Sequence, residues 1–254
     1  MKVQIIGLGV VGMAQAKLLH ELNHNVYAYD IIEKNSPEYI KLLRKPSSNV
    51  DINFICTSEN SVEEVIQMFI KNHVKGLYVI KSTTAPGETE RLSEKYNIHI
   101  CHNPEFLREK HAFHDAINPS RIIIGQCCQK HGQLLKHLYK PLMRPIYITD
   151  PTTSELVKIT SNSLRAMIIT FWNEINQLSS AMQINTMELA NLVDQVNTIG
   201  FWEGGDWGTK FFGKKYGGRC LPKDIDQLIN AFQKNNIITL LFKSIKESNN
   251  RFSE

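Results

Sequence analysis

The sequence is poor in cysteine and has no long apolar run, and each shortage excludes a class of protein. Its five cysteines are odd in number and none belongs to a C-x-x-C pair, so neither a disulfide framework nor a structural zinc site is expected. The longest apolar stretch, residues 237–242, is far below the ~18 residues that cross a bilayer. The first residues lead into a strand pattern rather than a signal peptide. We therefore expect a cytoplasmic protein with no metal and no membrane partner.

A large charge of one sign is also absent. Lys and Arg number 29 and Asp and Glu 25, an excess of 29 − 25 = +4, and the longest basic clusters are pairs such as Lys214-Lys215. Nucleic-acid-binding proteins usually concentrate positive charge on one face, so no nucleic-acid partner is expected, and an anionic small molecule fits the mild excess better. With 42% hydrophobic residues over 254 positions, the chain can bury a core and form one large domain or two small ones.

The first ~150 residues alternate short apolar runs with amphipathic stretches. The predicted strands are Val3–Gly7, Asn25–Asp30, Asn53–Thr57, Leu77–Lys81, Ile98–Cys101 and Arg121–Gly125. Helices are predicted at Val11–Leu22 and Ser61–Lys71. Strands that alternate with helices favour an α/β domain, a Rossmann-type doubly wound parallel sheet over residues 1–150.

After Pro151 the pattern becomes helical. Thr152 and Glu155 have the spacing of a capping box, and apolar residues follow at steps of three and four. This stripe consists of Leu164, Ile168, Phe171, Ile175, Leu178 and Met182. It predicts a long amphipathic helix whose stripe faces the core. With further helices at 186–196 and 224–234 around a glycine-rich segment, 204–218, we expect an all-helical central domain over residues 151–254.

A nucleotide site is indicated by Gly7-Leu8-Gly9-Val10-Val11-Gly12, a G-x-G-x-x-G between a strand and a helix. The first glycine allows a tight turn, the second lets a pyrophosphate approach the backbone, and the third allows close helix–sheet packing. The phosphates then meet the free N–H groups of the helix. Asp30 closes the second strand, where a carboxylate takes the ribose hydroxyls and repels a 2′-phosphate. We therefore expect NAD as cofactor; alternatively, Asp30 is a turn residue that ends the strand.

Four separated segments carry a joint resemblance to a known family. They read Lys-Ser-Thr-Thr-Ala-Pro-Gly at 81–87, Asn-Pro-Glu-Phe-Leu-Arg-Glu at 103–109, Ser-Glu-Leu-Val-Lys at 154–158 continuing to Asn162, and Gly-Gly-Arg-Cys-Leu-Pro-Lys-Asp at 217–224. In this order behind the glycine motif, they resemble the UDP-glucose/GDP-mannose 6-dehydrogenase family over essentially the whole chain. The resemblance implies oxidation of the C6 hydroxyl of a nucleotide sugar, UDP-glucose first, to a carboxylate by two NAD, for polysaccharide biosynthesis.

The resemblance also implies the roles of individual residues. Cys220 is the nucleophile that traps the aldehyde as a thiohemiacetal, which is then oxidised to a thioester, with Lys223 and Lys158 supplying electropositive surroundings. Lys158 and Asn162, four apart on a helix, stabilise the oxyanion. Asp224 helps Lys158 hold the catalytic water. The alternatives are an inert buried thiol at Cys220 and a solvated helix face shared by Lys158 and Glu155.

Glu105 is the implied base for thioester hydrolysis, a role that suits it if burial raises its pKa; the alternative is a turn cap after Pro104. By the same resemblance, Thr83 also bonds the catalytic water. The implied cofactor contacts are Thr57, Thr83 and Glu109, and the implied substrate contacts are Phe106, Leu107, Lys158, Asn162, Gly217 and Lys223.

Other chemistry-bearing residues receive no role. Cys127 and Cys128 adjoin a strand end without metal-ligand spacing and are interpreted as incidental. His99, Cys101 and His102 alternate along a strand, so His102 points away from the other two and a metal site is not expected. An aromatic group could line a sugar pocket or pack a surface loop equally well; it consists of Phe201, Trp202, Trp207, Phe211 and Phe212.

The chain departs from the family pattern in three places. The stretch between Asp30 and Asn53 is short, and Arg219 stands before Cys220 where the family commonly has a small residue. The last residues, 248–254, resemble the end of the family's central domain, so we expect no counterpart of its C-terminal domain here unless a separate chain supplies it. Two alternatives stay open: a two-domain dehydrogenase of a smaller hydroxy acid, and a non-catalytic NAD-binding remnant.

The long helix beginning near Thr152 predicts a homodimer. In the family that the chain resembles, this helix carries the dimer contact. Trp172 and Met167 lie beyond the stripe expected to face the core, and we expect them at the interface.

Overall fold

The computed structural model describes residues 1–32, 35–196, 214–218 and 220–252, except the side chains of 194–196. Arg219 and the five aromatic residues between 201 and 212 lie outside these residues. The chain divides into two compact units, Met1–Lys158 and Ile159–Glu254. The boundary after residue 150 and the roles assigned to the two domains stay predictions. None of the described helices is both long and apolar enough to cross a membrane.

The first unit is built on a mostly parallel sheet, which confirms the predicted α/β fold. Its strands are β1 (Lys2–Ile6), β2 (Asn25–Tyr29), β3 (Ile40–Leu42), β4 (Ile52–Ile55), β5 (Leu77–Ile80), β6 (Ile100–His102), β7 (Ile122–Gly125) and β8 (Ile146–Thr149). They lie side by side in the order β3-β2-β1-β4-β5-β6-β7-β8. Among these strands, only β6 and β7 are antiparallel neighbours, and one residue pair, His102 with Gly125, joins them.

The helices follow the strands as the alternating pattern predicts. In the first unit they are α1 (Val10–Glu21), α2 (Val62–Lys71), α3 (Glu88–Tyr96), α4 (Ala112–Ile117) and α5 (Gln129–Tyr139). The long helix α6 (Pro151–Ala181) begins in the first unit and continues into the second, where it is followed by α7 (Thr186–Val196), α8 (Leu221–Lys234) and α9 (Leu241–Asn249).

The central strands are mostly apolar because both faces of the sheet are covered. All four residues of β4, β5 and β7 are buried. Alternate residues point to opposite faces, so Ile5 and Phe54 enter one apolar cluster while Ile6 and Ile55 enter a second. These clusters fix the sheet on which the candidate site rests.

The predicted capping box of the long helix is wrong. The helix begins at Pro151, and Asp150 caps it: the Thr153 N–H donates to Asp150 Oδ1 at 2.7 Å. The Glu155 carboxylate instead accepts hydrogen bonds from the N–H groups of Gly87, at 2.7 Å, and Thr89, at 2.8 Å, at the start of α3. Thr152 and Glu155 have the right spacing, but the helix starts two residues earlier than that motif requires.

The predicted core stripe of α6 is also wrong in its orientation. Phe171, Leu178 and Met182 are 54%, 58% and 60% exposed, whereas Trp172, expected on the outside, is only 3% exposed. In the second unit, Ala166 packs with residues of the segment before α8, of α8 and of α9, namely Tyr216, Ile225, Ile229 and Ile245. Apolar residues occur on both sides of this helix, and periodicity alone does not show which side is covered.

Candidate active site

The glycine turn between β1 and α1 meets three different steric demands. Gly7 has a φ of +89°, and a Cβ atom added there would lie 2.8 Å from the carbonyl oxygen of Cys56. A Cβ added at Gly12 would lie 1.8 Å from the carbonyl oxygen of Gly7, whereas one at Gly9 would meet nothing within 4 Å. The first and third glycines therefore allow close packing, and the second leaves open space beside the backbone.

The start of α1 has the features of an anion site. Gly9 is its N-cap and supplies no side-chain cap, and the first turn, which includes Val10 and Val11, has no acidic residue. Its backbone N–H groups and the helix dipole therefore favour a negatively charged ligand. The turn lies at the carboxyl end of β1, between β2 and β4, where the strand order changes direction. This is where doubly wound sheets bind dinucleotides.

Asp30 and Thr57 adjoin this turn. Asp30 Oδ2 accepts a hydrogen bond from the Leu8 N–H at 2.6 Å, and Oδ1 accepts one from the Ile32 N–H at 2.9 Å. A Cβ added at Gly7 would lie 3.1 Å from Thr57 Cγ2. Asp30 therefore holds the glycine turn as well as ending β2, and the two interpretations of this residue are compatible.

Thr83 and Glu109 were the other expected cofactor contacts. Thr83 is partly buried just after β5, and Glu109 is exposed in the short turn Glu109–His111. Their contact with a cofactor stays a prediction.

A buried polar network lies where β5 and β6 end. Lys81 Nζ donates to the backbone oxygen and to Oδ1 of Asn103, at 3.1 and 2.9 Å, and Tyr139 OH donates to the same Oδ1 at 2.6 Å. Burial lowers the pKa of Lys81 to about 8. Sequence reasoning gave Lys81 and Asn103 no role; their one signal is that each polar residue directly follows a buried strand.

Glu105 and Lys158 form a buried ion pair. Lys158 Nζ lies 3.0 Å from Glu105 Oε1, and the two side chains are 4% and 11% exposed. The Leu107 N–H donates to Glu105 Oε2 at 2.5 Å. Burial alone raises the pKa of Glu105, but the Lys158 charge and these hydrogen bonds outweigh it and hold the pKa below its ordinary value. The condition set for Glu105, a pKa raised by burial, is therefore not met. The alternative of a solvated face shared by Lys158 and Glu155 is wrong, because both residues are buried.

Phe106 lies beside two cations. Its ring centroid is 5.4 Å from Lys158 Nζ and 4.7 Å from Arg121 Cζ, within the range of cation–π attraction. Phe106 and Leu107 are both partly exposed. Partial exposure leaves both side chains available for the substrate contact expected of them, which stays a prediction.

In the second unit, Asn162 and Asp224 form another buried pair. Asn162 Nδ2 donates to Asp224 Oδ2 at 2.5 Å, and the two residues are 3% and 0% exposed. Lys223 Nζ lies 3.6 Å from the other oxygen of Asp224. The amide is thus held by a carboxylate that is itself paired with a cation. Lys158 and Asn162 lie four residues apart on α6, and each is held by a carboxylate in its own unit.

Cys220 occupies the N-cap of α8 and is exposed, so the alternative of an inert buried thiol is wrong. The N-terminus of a helix favours a thiolate over a thiol. Just before it, a Cβ added at Gly217 or Gly218 would meet nothing within 4 Å. Tyr216 anchors this stretch, because its N–H donates to Asn249 Oδ1 at 2.8 Å. The thiol is therefore accessible at the end of an anchored, open turn.

Cys127 and Cys128, interpreted as incidental from the sequence, have possible metal-ligand partners in the structure. With His99 and His131 they form a cluster whose possible metal-ligand atoms all lie within 4.8 Å of one another. His102 lies apart from this cluster in its contacts, since its Nδ1 is 2.9 Å from Ser154 Oγ. The expectation of no metal-ligand arrangement among these residues is therefore corrected.

Comparison with known proteins gives a consistent family. The NAD binding domain of the UDP-glucose/GDP-mannose dehydrogenase family matches residues 44–143, and the central domain of that family matches 152–251. A UDP-glucose 6-dehydrogenase of Campylobacter jejuni is 32% identical in an alignment 293 positions long, which covers 98% of this chain and 72% of that protein. The UDP-glucose 6-dehydrogenase of Bacillus subtilis is 29% identical over 300 residues, with coverages of 99% and 66%.

The fold is likewise shared with a solved structure. A UDP-glucose dehydrogenase from Pyrobaculum islandicum superposes with a TM-score of 0.86 at 24% identity, covering 98% of this chain and 68% of that one. The chain therefore spans about two thirds of the length of the relatives that it matches.

Proposed function

Since the chain belongs to the UDP-glucose/GDP-mannose dehydrogenase family, we propose that it oxidises the C6 hydroxyl of a nucleotide sugar to a carboxylate. UDP-glucose is the first candidate substrate. The observation that carries this proposal is the exposed Cys220 at the N-cap of α8. A four-electron oxidation through a thioester requires such a nucleophile, whereas a simple alcohol dehydrogenase does not.

The glycine turn, the start of α1 and Asp30 fit a dinucleotide, and NAD when bound there accepts the hydride released in each of the two oxidations. The chain's own contribution at this end is to bind and orient. The α1 N–H groups take the pyrophosphate, and the open space at Gly9 permits its approach. The Asp30 carboxylate accepts ribose hydroxyls in addition to the backbone N–H groups that it already accepts.

Cys220 provides the covalent step. The first oxidation removes a hydride and the hydroxyl proton from the alcohol, leaving an aldehyde. Cys220 Sγ bonds to the aldehyde carbon and its proton passes to the carbonyl oxygen, forming a thiohemiacetal. Loss of a second hydride and of that hydroxyl proton gives a thioester. Water then attacks the carbonyl carbon, the C–S bond breaks, and the thiol and a carboxylate are released.

Lys158 and Asn162 stabilise the negative oxygen that forms in these steps. Lys158 is buried and paired with Glu105, and the pairing offsets part of the cost of burying the two groups. When Lys158 turns toward the developing oxyanion, Glu105 loses its partner and becomes a stronger base, ready to take the proton of the attacking water. Asp224 orients the Asn162 amide, which leaves its second N–H for the oxygen.

Assembly and location are part of the same proposal. We place the homodimer contact on the exposed apolar residues Phe171 and Leu178 of α6 and on Met182, which directly follows that helix, rather than on Trp172. A contiguous apolar patch of this kind is typical of protein–protein interfaces. We further propose that the enzyme acts in the cytoplasm, in the synthesis of polysaccharide precursors.

The test is the stoichiometry of NADH formed per sugar consumed. UDP-glucose, GDP-mannose and UDP-N-acetylmannosamine are offered in turn to the full chain and to its Cys220→Ser variant. Two NADH per sugar are expected with one of the three, together with stalling of the variant before carboxylate release. One NADH per substrate, unaffected in Cys220→Ser, would instead support a dehydrogenase of a simple alcohol and refute the thioester route.

A further inference from the structure

We propose that His99, Cys127, Cys128 and His131 form a Zn²⁺ site. The inference rests on the proximity of two thiols and two imidazoles, all of whose ligand atoms lie within 4.8 Å of one another. Two sulfurs with two imidazole nitrogens are a donor set that favours Zn²⁺ in tetrahedral coordination. The site is separate from the proposed chemistry of Cys220 and Lys158 and does not depend on it.

The two contacts of His131 are close to the spacing of ligand atoms around this ion. His131 Nδ1 lies 3.2 Å from Cys127 Sγ and 3.3 Å from Cys128 Sγ. Zn–S bonds of about 2.3 Å and Zn–N bonds of about 2.0 Å in a tetrahedron place neighbouring ligand atoms about 3.3–3.8 Å apart. The rings of His99 and His131 are 4.9 Å apart between centroids and nearly perpendicular, so two nitrogens can approach one ion from different directions.

The local backbone explains how two adjacent cysteines can face one ion. Successive side chains of a strand point to opposite faces, but Cys127 and Cys128 lie beyond the end of β7, in the bend that leads into α5. Cys128 is the N-cap of that helix, and His131 lies three residues further in its first turn. The bend thus turns both sulfurs toward the same imidazole.

Cys101 completes the surroundings of the site. It is buried in β6, and its thiol donates to Cys127 Sγ at 3.6 Å. A hydrogen bond of this kind stabilises a metal-bound thiolate. His99 is exposed and Cys127, Cys128 and His131 are partly exposed, so an ion can enter from solvent.

The location gives the site a structural purpose. His99 directly precedes β6, and the two cysteines follow β7, so the ligands span the antiparallel neighbours that a single residue pair joins. A metal bound by His99 and by the two cysteines would link the start of β6 to the end of β7 and stabilise the pairing of these strands. Because the ion binds the folded arrangement and not the separate segments, it would raise the melting temperature of the chain.

The experiment uses the full chain, reduced and freed of metal by chelation, then titrated with Zn²⁺ against a chromophoric chelator and, separately, with Co²⁺. One Zn²⁺ per chain is expected, with a rise in melting temperature. The Co²⁺ form should show the visible bands of a tetrahedral site and a thiolate charge-transfer band. In Cys127→Ser, Cys128→Ser and His131→Asn, the Zn²⁺ affinity should fall at least tenfold.

Two matched variants control for adventitious binding: Cys220→Ser, which removes an exposed thiol, and His137→Asn, which removes an exposed imidazole of α5. Both should keep the wild-type affinity. The melting temperature of each variant without metal shows whether that variant folds. The site counts as lost only in a variant that folds but whose melting temperature no longer rises when Zn²⁺ is added. Binding well below one ion per chain would overturn the proposal. So would a Co²⁺ spectrum without thiolate bands, or loss of affinity in Cys220→Ser alone.

Discussion

Replacement of Gly12 by alanine should destabilise the first unit severely. The new Cβ would lie 1.8 Å from the Gly7 carbonyl oxygen, 3.0 Å from its carbon and 3.3 Å from Ile5 Cγ2, far inside an ordinary contact of ~3.5 Å. The first two atoms are backbone, so the overlap can be relieved only if α1 moves away from β1. Overpacking of a core costs about 1–3 kcal/mol, and more where nothing yields, so we expect a loss of about 3 kcal/mol or more.

The assay is urea unfolding followed by far-ultraviolet circular dichroism, with Gly9→Ala as the matched control. A loss of about 3 kcal/mol lowers the unfolding midpoint by about 1 M urea if the slope is about 3 kcal/mol/M. Gly9→Ala should stay within about 0.5 kcal/mol of wild type, because its Cβ meets nothing within 4 Å. Its NAD affinity should nevertheless fall at least tenfold, since the methyl group occupies the space for the pyrophosphate. A wild-type midpoint for Gly12→Ala, or wild-type NAD affinity for Gly9→Ala, would refute this reasoning.

Three further outcomes follow from the charges and exposed surfaces. Lys158→Met should cost about 3 kcal/mol by leaving the Glu105 carboxylate buried and unpaired, and adding Glu105→Gln should recover most of that loss in urea unfolding at pH 7. The pKa of Glu105 is lowered on folding, so its ionised carboxylate stabilises the fold above the unfolded pKa of ~4.3. This stabilisation is lost as pH falls through the folded pKa. If the free energy of unfolding fell equally with pH in wild type and in the Lys158→Met, Glu105→Gln double variant, this reasoning would be contradicted. Lys81 binds fewer protons in the folded state between its folded pKa of about 8 and its ordinary 10.5, so stability should rise with pH across that window in wild type and not in Lys81→Met. Leu178→Glu should convert a dimer into a monomer in light scattering while the neighbouring Gln177→Glu stays dimeric, and a monomeric wild type would count against the proposed contact.

The central sheet could be predicted because its strands are short, mostly apolar runs. Ile52–Ile55, Leu77–Ile80 and Ile122–Gly125 are buried at every position, and such runs separated by amphipathic helices indicate a covered parallel sheet. Strands β3 (Ile40–Leu42) and β8 (Ile146–Thr149) were missed because they lie at the two edges of the sheet, where burial is incomplete and the apolar signal is weak.

The partners of the candidate site residues could not be predicted, because they come from distant parts of the chain. Glu105 and Lys158 are 53 residues apart, and Asn162 and Asp224 are 62 apart. An argument from Glu105 alone considers only burial, which would raise its pKa. The opposing effect of Lys158 depends on a tertiary contact that no local pattern encodes. The cluster of Cys127, Cys128, His131 and His99 was not predicted either, because His99 precedes another strand and joins the other three residues only in the folded chain.

The sheet holds the segment that carries Glu105 through the hydrogen bonds of Asn103. Asn103 donates its side-chain N–H to the Ile123 carbonyl oxygen at 2.7 Å, and its backbone N–H to the Ile80 carbonyl oxygen at 2.8 Å. With Lys81 and Tyr139 bonded to its side-chain oxygen, this residue is held by β5, β7 and α5 together. Glu105 follows two residues later, in a segment without regular secondary structure, so the anchoring of Asn103 helps to place the Glu105 carboxylate beside Lys158. Charge that is positioned in advance in this way is what stabilisation of an oxyanion requires.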